Sequence, residues 1–133
     1  MTTTTWELLD QAYATLREAV AGVPADGWDR PTPCTGWNVT QVLRHAAGDQ
    51  LAHAARPTGG PGPTEDPFAP SGTLAGPPAA LLEPALAAAA EAFAGVAPDE
   101  TEVAVPLPPF SVPAATAVGA AALDAAVHAW DIA

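Results

Sequence analysis

The 133 residues suit one domain with a single core, and 49% of them are hydrophobic, mostly alanine, which favours close-packed helices over a sheet sandwich. Four arginines and no lysine stand against fifteen acidic residues, for a formal net charge of −11. So negative a chain repels phosphate backbones and anionic lipid, which argues against nucleic acid and membrane surfaces as partners. A small anion is not excluded, because a buried cation can dominate the local field.

The first helix opens at a capping box formed by Thr4 and Glu7 and closes at Gly22. Between them Trp6, Leu9, Tyr13, Leu16 and Val20 recur at three and four residues, giving one apolar stripe. A turn-rich segment, 23–37, holds Pro24, Gly27, Pro31, Pro33 and Gly36. The second helix starts at the cap Asn38, with Gln41 three residues on, carries Val39, Val42, Leu43, Ala46 and Ala47, and runs to about Ala55. Residues 56–78 form a loop rich in proline and glycine, long enough to act as a lid or to be disordered. Leu81, Leu82, Leu86 and Phe93 mark a third helix closed by Gly95. Pro84 lies among them, and an interior proline costs roughly 3 kcal/mol, so the main body is expected from Pro84 to Ala94. Val103, Val105 and Leu107 alternate with other residues, and Phe110 and Val112 follow. They make a short strand pair or an extended connection, with the prolines at 106, 108 and 109 working against pairing. A fourth helix begins near Ser111 to Pro113 and reaches the last residue without a cap, which suggests a truncated C-terminus.

Cys34 is the only cysteine, so no intrachain disulfide and no multi-cysteine zinc site can form. The first residues lack the basic-then-apolar order of a signal peptide, and the longest apolar stretch, 114–123, is too short for a bilayer; a cytoplasmic location is expected. The chain is read as one all-α domain over 1–133, a four-helix bundle, with a homo-oligomer open.

Chemistry concentrates on the fourth helix, where Asp124 and His128 stand four residues apart and so share a face about 6 Å apart along the axis. A carboxylate and an imidazole so placed can share one metal, and His45 on the second helix can supply a third ligand. Two imidazoles and one carboxylate leave positions open for substrate, as in catalytic rather than closed structural sites. Zinc is the default for that set, with nickel, iron and manganese as alternatives. Ala117, Ala120 and Ala121 beside Asp124, and Gly48 and Ala52 beside His45, would leave room above the metal, while Leu123, Val127 and Trp130 point elsewhere, toward packing.

Plainer readings stand beside these. From spacing alone, an aspartate and histidine four apart on a helix are more often a hydrogen-bonded or solvated pair than a metal site. His45, Asp49 and His53 follow one another along the second helix and read as a solvent-facing row or, less readily, a competing site. No proton-transfer residue can be assigned from the sequence, and Asp49 is the only nearby candidate. Cys34 has no histidine near it in sequence and reads as turn packing; Trp28, Trp37 and Trp130 read as packing residues, one of which can wall a pocket.

Two segments raise the odds of the sharper reading: RPTPCTGWNVTQVLRHAAG (30–48) and FSVPAATAVGAAALDAAVHAWDIA (110–133). They resemble the signature regions of the actinobacterial DinB-like group that includes the N-terminal domain of mycothiol-dependent maleylpyruvate isomerase. The resemblance implies a DinB-like four-helix bundle with a divalent metal on His45, Asp124 and His128. It also implies a transferase or isomerase that uses mycothiol or another small thiol as cosubstrate on a small electrophilic molecule. Asp124 stands where the characterised isomerase has glutamate, so its shorter arm reaches the metal directly or through water. Asp131, after Trp130, takes a structural or metal-supporting position. A non-catalytic metal- or ligand-binding regulatory module is the alternative, and a metal-free bundle that binds a ligand or partner helix is a third reading.

Overall fold

The computed structural model describes residues 6–133; Thr4 lies outside them, and the expected capping box is not formed, because the first helix starts at Glu7 with Trp6 as an N-cap that makes no side-chain cap hydrogen bond. These residues form helices α1 (Glu7–Ala21), α2 (Val39–Thr58), α3 (Pro78–Ala94) and α4 (Ala114–Ile132), with strands β1 (Val103–Ala104) and β2 (Ser111–Val112) between the last two helices. The all-α, four-helix reading holds. The alternating stretch resolves into a strand pair of two residues each, antiparallel, with Val103 opposite Val112 and Ala104 opposite Ser111. The three prolines sit between the strands rather than in them, so none has to donate to the ladder.

Leu9, Tyr13 and Leu16 of α1, Val42 and Leu43 of α2, Leu82, Leu86 and Phe93 of α3 and Val118 of α4 form the buried core. The strongest pairings are α1 with α4 and α2 with α3, and α2 also lies against α4. The buried face of α4 is almost entirely alanine, Ala114, Ala117, Ala121, Ala122, Ala125 and Ala129. Side chains this small let neighbouring backbones approach closely. Trp6 fastens the start of α1 to the end of α3 by donating its indole N–H to the Phe93 carbonyl at 2.8 Å.

Both ends of α2 are set locally. Asn38 Oδ1 accepts from the Gln41 N–H, and Gln41 Oε1 accepts from the Asn38 N–H, each at 2.9 Å. At the other end Gly59 adopts φ 68°, a left-handed conformation that only glycine takes without steric cost. The helix runs past Ala55 to Thr58 with Pro57 in its last turn; Thr58 Oγ1 donates to the Ala54 carbonyl at 2.9 Å. A proline so near the end forfeits one N–H donor, with little helix beyond it to lose.

α3 departs from expectation more. It starts at Pro78, six residues before Pro84, which therefore lies inside the helix. Pro78 occupies the first helical position, where a missing N–H costs nothing and φ is already helical. Leu82 and Leu86 flank Pro84 and are both fully buried, so core packing holds the helix together across it. A second correction concerns α4: Leu123, Val127 and Trp130 face solvent at 65%, 46% and 68% exposure instead of packing. A helix apolar on nearly every side does not reveal from its pattern which side is inward.

Candidate metal centre

The i,i+4 spacing does the first part of the assembly. His45 and Asp49 lie one turn apart on α2, Asp124 and His128 one turn apart on α4, and the two helices pack side by side. The His45 and His128 rings meet edge to face, with centroids 4.7 Å apart and planes at 88°. One ligand-capable atom from each of His45, Asp49, Asp124 and His128 lies within 4.8 Å of the others, close enough for the group to hold one metal ion. His45, Asp124 and His128 are thus brought together from distant stretches of chain.

Asp49 joins them, which corrects the solvent-facing row. His45 and His53 are buried at 6% and 4% exposure, and the Asp49 carboxylate meets His45 Nε2 at 3.0 Å. Asp49 does not stand apart in a separate row; its carboxylate lies in the same cluster. The signal was present in the sequence, since a histidine and an aspartate four apart on α2 mirror the aspartate and histidine four apart on α4.

Each imidazole is oriented through its other nitrogen. His45 Nδ1 lies 2.6 Å from the Pro67 carbonyl, and His128 Nδ1 lies 3.0 Å from Asp131 Oδ2. A carbonyl and a carboxylate can only accept, so Nδ1 of each ring is the donor there, and Nε2 is left directed at the inner pair of carboxylates. There Nε2 of His45 faces Asp49, and Nε2 of His128 faces Asp124 at 3.3 Å. An Nε2 so placed donates its proton to the carboxylate when the ring is charged, and shares a cation with it when the ring is neutral. The residues present therefore fit a divalent ion.

Electrostatics divide the two acids. Burial alone would raise the Asp124 carboxyl, but hydrogen bonds from His128 and Asp49 and the nearby histidine charges outweigh it and hold the group below the usual carboxylate range. Burial raises Asp49 and the neighbouring Asp124 charge adds to this, against the opposing pull of His45, so Asp49 holds a proton more readily. Burial would depress His45 and His128; their hydrogen bonds to Asp49 and Asp124 prevail and raise both above the ordinary imidazole value. His53 goes the other way, lowered by burial against the attraction of Asp124 and Asp49. Its Nδ1 is the one buried side-chain polar atom among the described residues without a hydrogen-bond partner.

Several supporting residues carry no sequence signal. Gln50, fully buried on α2, donates to the Ala121 carbonyl at 3.0 Å and to Asp124 Oδ2 at 3.3 Å, and accepts from the Tyr13 hydroxyl. Asp124 is thereby tied to α1 through α2. The tyrosine is pushed above its ordinary range by burial and by the Asp124 charge, so it stays a neutral donor. Cys34 packs against the core, as its place in the turn suggested, and also directs its thiol at Asp131 Oδ2, 3.1 Å away. Burial and then Asp131 push that thiol up to about 11, so it is no thiolate nucleophile at neutral pH.

The long loop covers His45. Besides the Pro67 carbonyl, it sets Phe68 against the ring at a 5.5 Å centroid distance, and Trp37 lies on the same ring at 4.8 Å. Arg44 of α2 fastens the loop by donating to the Thr73 carbonyl at 2.7 Å and to the Glu65 carboxylate at 3.1 Å. The small residues expected to leave space do something else. Gly48 makes room for Pro67, whose ring would lie 3.2 Å from an added Cβ. Ala117 and Ala121 are buried in the core, and Ala52 lines a separate cleft with Ala55 and Arg56.

Residues 9–133 match the mycothiol maleylpyruvate isomerase N-terminal domain family. The chain belongs to that family. Proteins similar to it include two uncharacterized proteins of Mycobacterium tuberculosis, one from strain CDC 1551 / Oshkosh and one from strain ATCC 25618 / H37Rv. Each is 34% identical over 124 residues, covering 92% of this chain and 60% of the relative, so the chain spans about three-fifths of their length. No solved structure gives a significant match. No helix among the described residues is long and apolar enough to cross a membrane.

Proposed function

We propose that this family member binds one divalent cation on His45, Asp124 and His128 and uses it in a mycothiol- or small-thiol-dependent transfer or isomerisation of a small electrophilic molecule. The observation that carries the reading is the pair of imidazoles whose Nδ1 atoms are tied to acceptor-only groups while Nε2 faces the carboxylates. Zinc suits two nitrogens and an oxygen, and nickel, iron or manganese would also fit. When bound, the cation supplies Lewis acidity, lowering the pKa of a thiol or polarising a carbonyl.

The remaining roles belong to the chain. Asp124, ionised and braced by Gln50, provides fixed negative charge. Asp49, held at higher pKa beside it, is the group suited to take a proton from an incoming thiol or water. Pro67 and Asp131 hold the rings in the ligating tautomer, and Trp37 and Phe68 shield one side of His45.

The test is a zinc-loaded preparation assayed on maleylpyruvate and simple electrophiles with and without mycothiol. Turnover that requires both metal and thiol, and that falls about 100-fold or more in Asp49→Asn with metal content intact, supports the reading. Stoichiometric metal without turnover on any substrate would reassign the domain as a metal-binding or regulatory module.

A further inference from the structure

The segment before α2 touches both histidines. Its Trp37 ring rests on His45, and its Cys34 thiol reaches Asp131, the residue that holds His128. The segment is itself tightly closed. Thr32 Oγ1 donates to the Trp37 carbonyl at 2.8 Å and accepts from the Cys34 N–H at 3.1 Å, while the Trp37 N–H donates to the Cys34 carbonyl at 3.0 Å. Gly36, at φ 89°, takes a left-handed conformation within it. Pro31 and Asn38 pair across its base, and Asn38 caps α2.

One oxygen of Asp131 carries the link. Oδ2 accepts from His128 Nδ1–H at 3.0 Å and from the Cys34 thiol at 3.1 Å, and Asp131 is buried at 7% exposure. A buried carboxylate needs donors, and one with two donors on a single oxygen is fixed in rotation as well as position. Cys34 and Asp131 are 97 residues apart, so this contact joins the segment 31–37 to the last turn of α4.

We infer that Cys34 is a positioning residue for the metal centre: its thiol holds the Asp131 carboxylate against His128 Nδ1–H and so couples the 31–37 segment to metal affinity. This rests on the metal reading above. It assigns Cys34 neither ligation nor nucleophilic chemistry. Partners of metal-bound histidines commonly change affinity 10- to 100-fold when removed, and Cys34 acts one bond further out.

The experiment measures cobalt(II) and zinc affinity of the full chain by chelator competition, with the cobalt absorption spectrum recorded alongside. Variants are Cys34→Ala, Cys34→Val, Cys34→Ser, Asp131→Ala and the Cys34→Ala/Asp131→Ala double; valine fills the thiol's volume and serves where alanine does not fold. Asp131→Ala should weaken binding about 10- to 100-fold. Loss of the thiol donor should weaken it about two- to tenfold, with serine recovering most of that. In the Asp131→Ala background the Cys34 change should have no further effect, since it acts only through that carboxylate. Unchanged affinity in Cys34→Ala and Cys34→Val, or losses that simply add in the double variant, would overturn the inference while leaving the metal site standing. A thiolate-to-cobalt charge-transfer band in the wild type would also overturn it, by making Cys34 a ligand. Failure of the wild type to bind either ion would remove the metal reading itself, and this inference with it.

Discussion

Single atoms decide whether this site is a metal centre. His45 and His128 present Nε2 to carboxylates because Pro67 and Asp131 occupy Nδ1. The same geometry fixes a pH signature. In the metal-free chain both histidines have folded pKa values above the unfolded value of about 6.5, so the folded form binds more protons there. Their contribution to stability is full below about pH 6.5 and is lost as pH rises through the folded values. His53, lowered instead, exacts a penalty as pH falls below the same point, one group against two. Asp124, held low, contributes above about pH 3.9 and loses that contribution only in stronger acid. The metal-free protein should therefore lose stability as pH rises above about 6.5, whereas zinc affinity should rise over the same range because ligation needs neutral rings. Denaturant unfolding at several pH values, with chelator and with zinc, checks both signs; equal slopes in the two series would count against histidine ligation.

Tyr13→Phe tests the support of Asp124. It removes the donor to Gln50 Oε1 within the core and should cost about 1–3 kcal/mol in chemical unfolding. How much of this was legible at the residue scale follows from sequence distance. Asp124 and His128 announce themselves by spacing on one helix, and His45 by the short motif around it. Asp49 has the same spacing to His45, but nothing in a lone sequence says which side of α2 meets α4, so its place in the cluster is not legible there. Gln50, Tyr13 and Cys34 reach their partners across 37 to 97 residues, and no local pattern encodes such contacts.

At the scale of elements, two glycines in helices make opposed demands. An added Cβ at Gly119 of α4 meets nothing within 4 Å, so Gly119→Ala should stabilise the protein by about 0.5–1 kcal/mol through the helix alone. At Gly48 the same change pushes on Pro67 at 3.2 Å, and Pro67 carries the carbonyl that orients His45. Gly48→Ala should forfeit the helical gain and weaken zinc binding several-fold, up to about tenfold. Parallel thermal unfolding and metal titration of the two variants separate these effects; equal zinc affinity in both would mean that the loop does not position the ring. The helices themselves were readable from their stripes and caps, α1 and α2 most clearly. For α3 the interior Pro84 points to a shorter helix than the one that forms, because buried Leu82 and Leu86 hold it together across the proline. α4, apolar almost throughout, showed its length but not its inward face.

For the whole molecule, the bundle brings two short motifs, separated by most of the chain, into one cluster between α2 and α4. The overall charge of −11 makes that easier to fill with a cation than with an anion. Binding confined to the folded state should raise stability by about 2.7 kcal/mol at a free ion concentration a hundredfold above the dissociation constant. A zinc-dependent rise in the unfolding midpoint that is absent in His45→Ala would show this. The measurement that bears most directly on the central claim is elemental analysis of the chain, purified without a histidine tag, beside its His45→Ala and His128→Ala variants. The account predicts about one divalent ion per chain in the wild type and almost none in either variant. An ion retained in full by both variants, or a folded wild type that holds none after incubation with zinc, would contradict it.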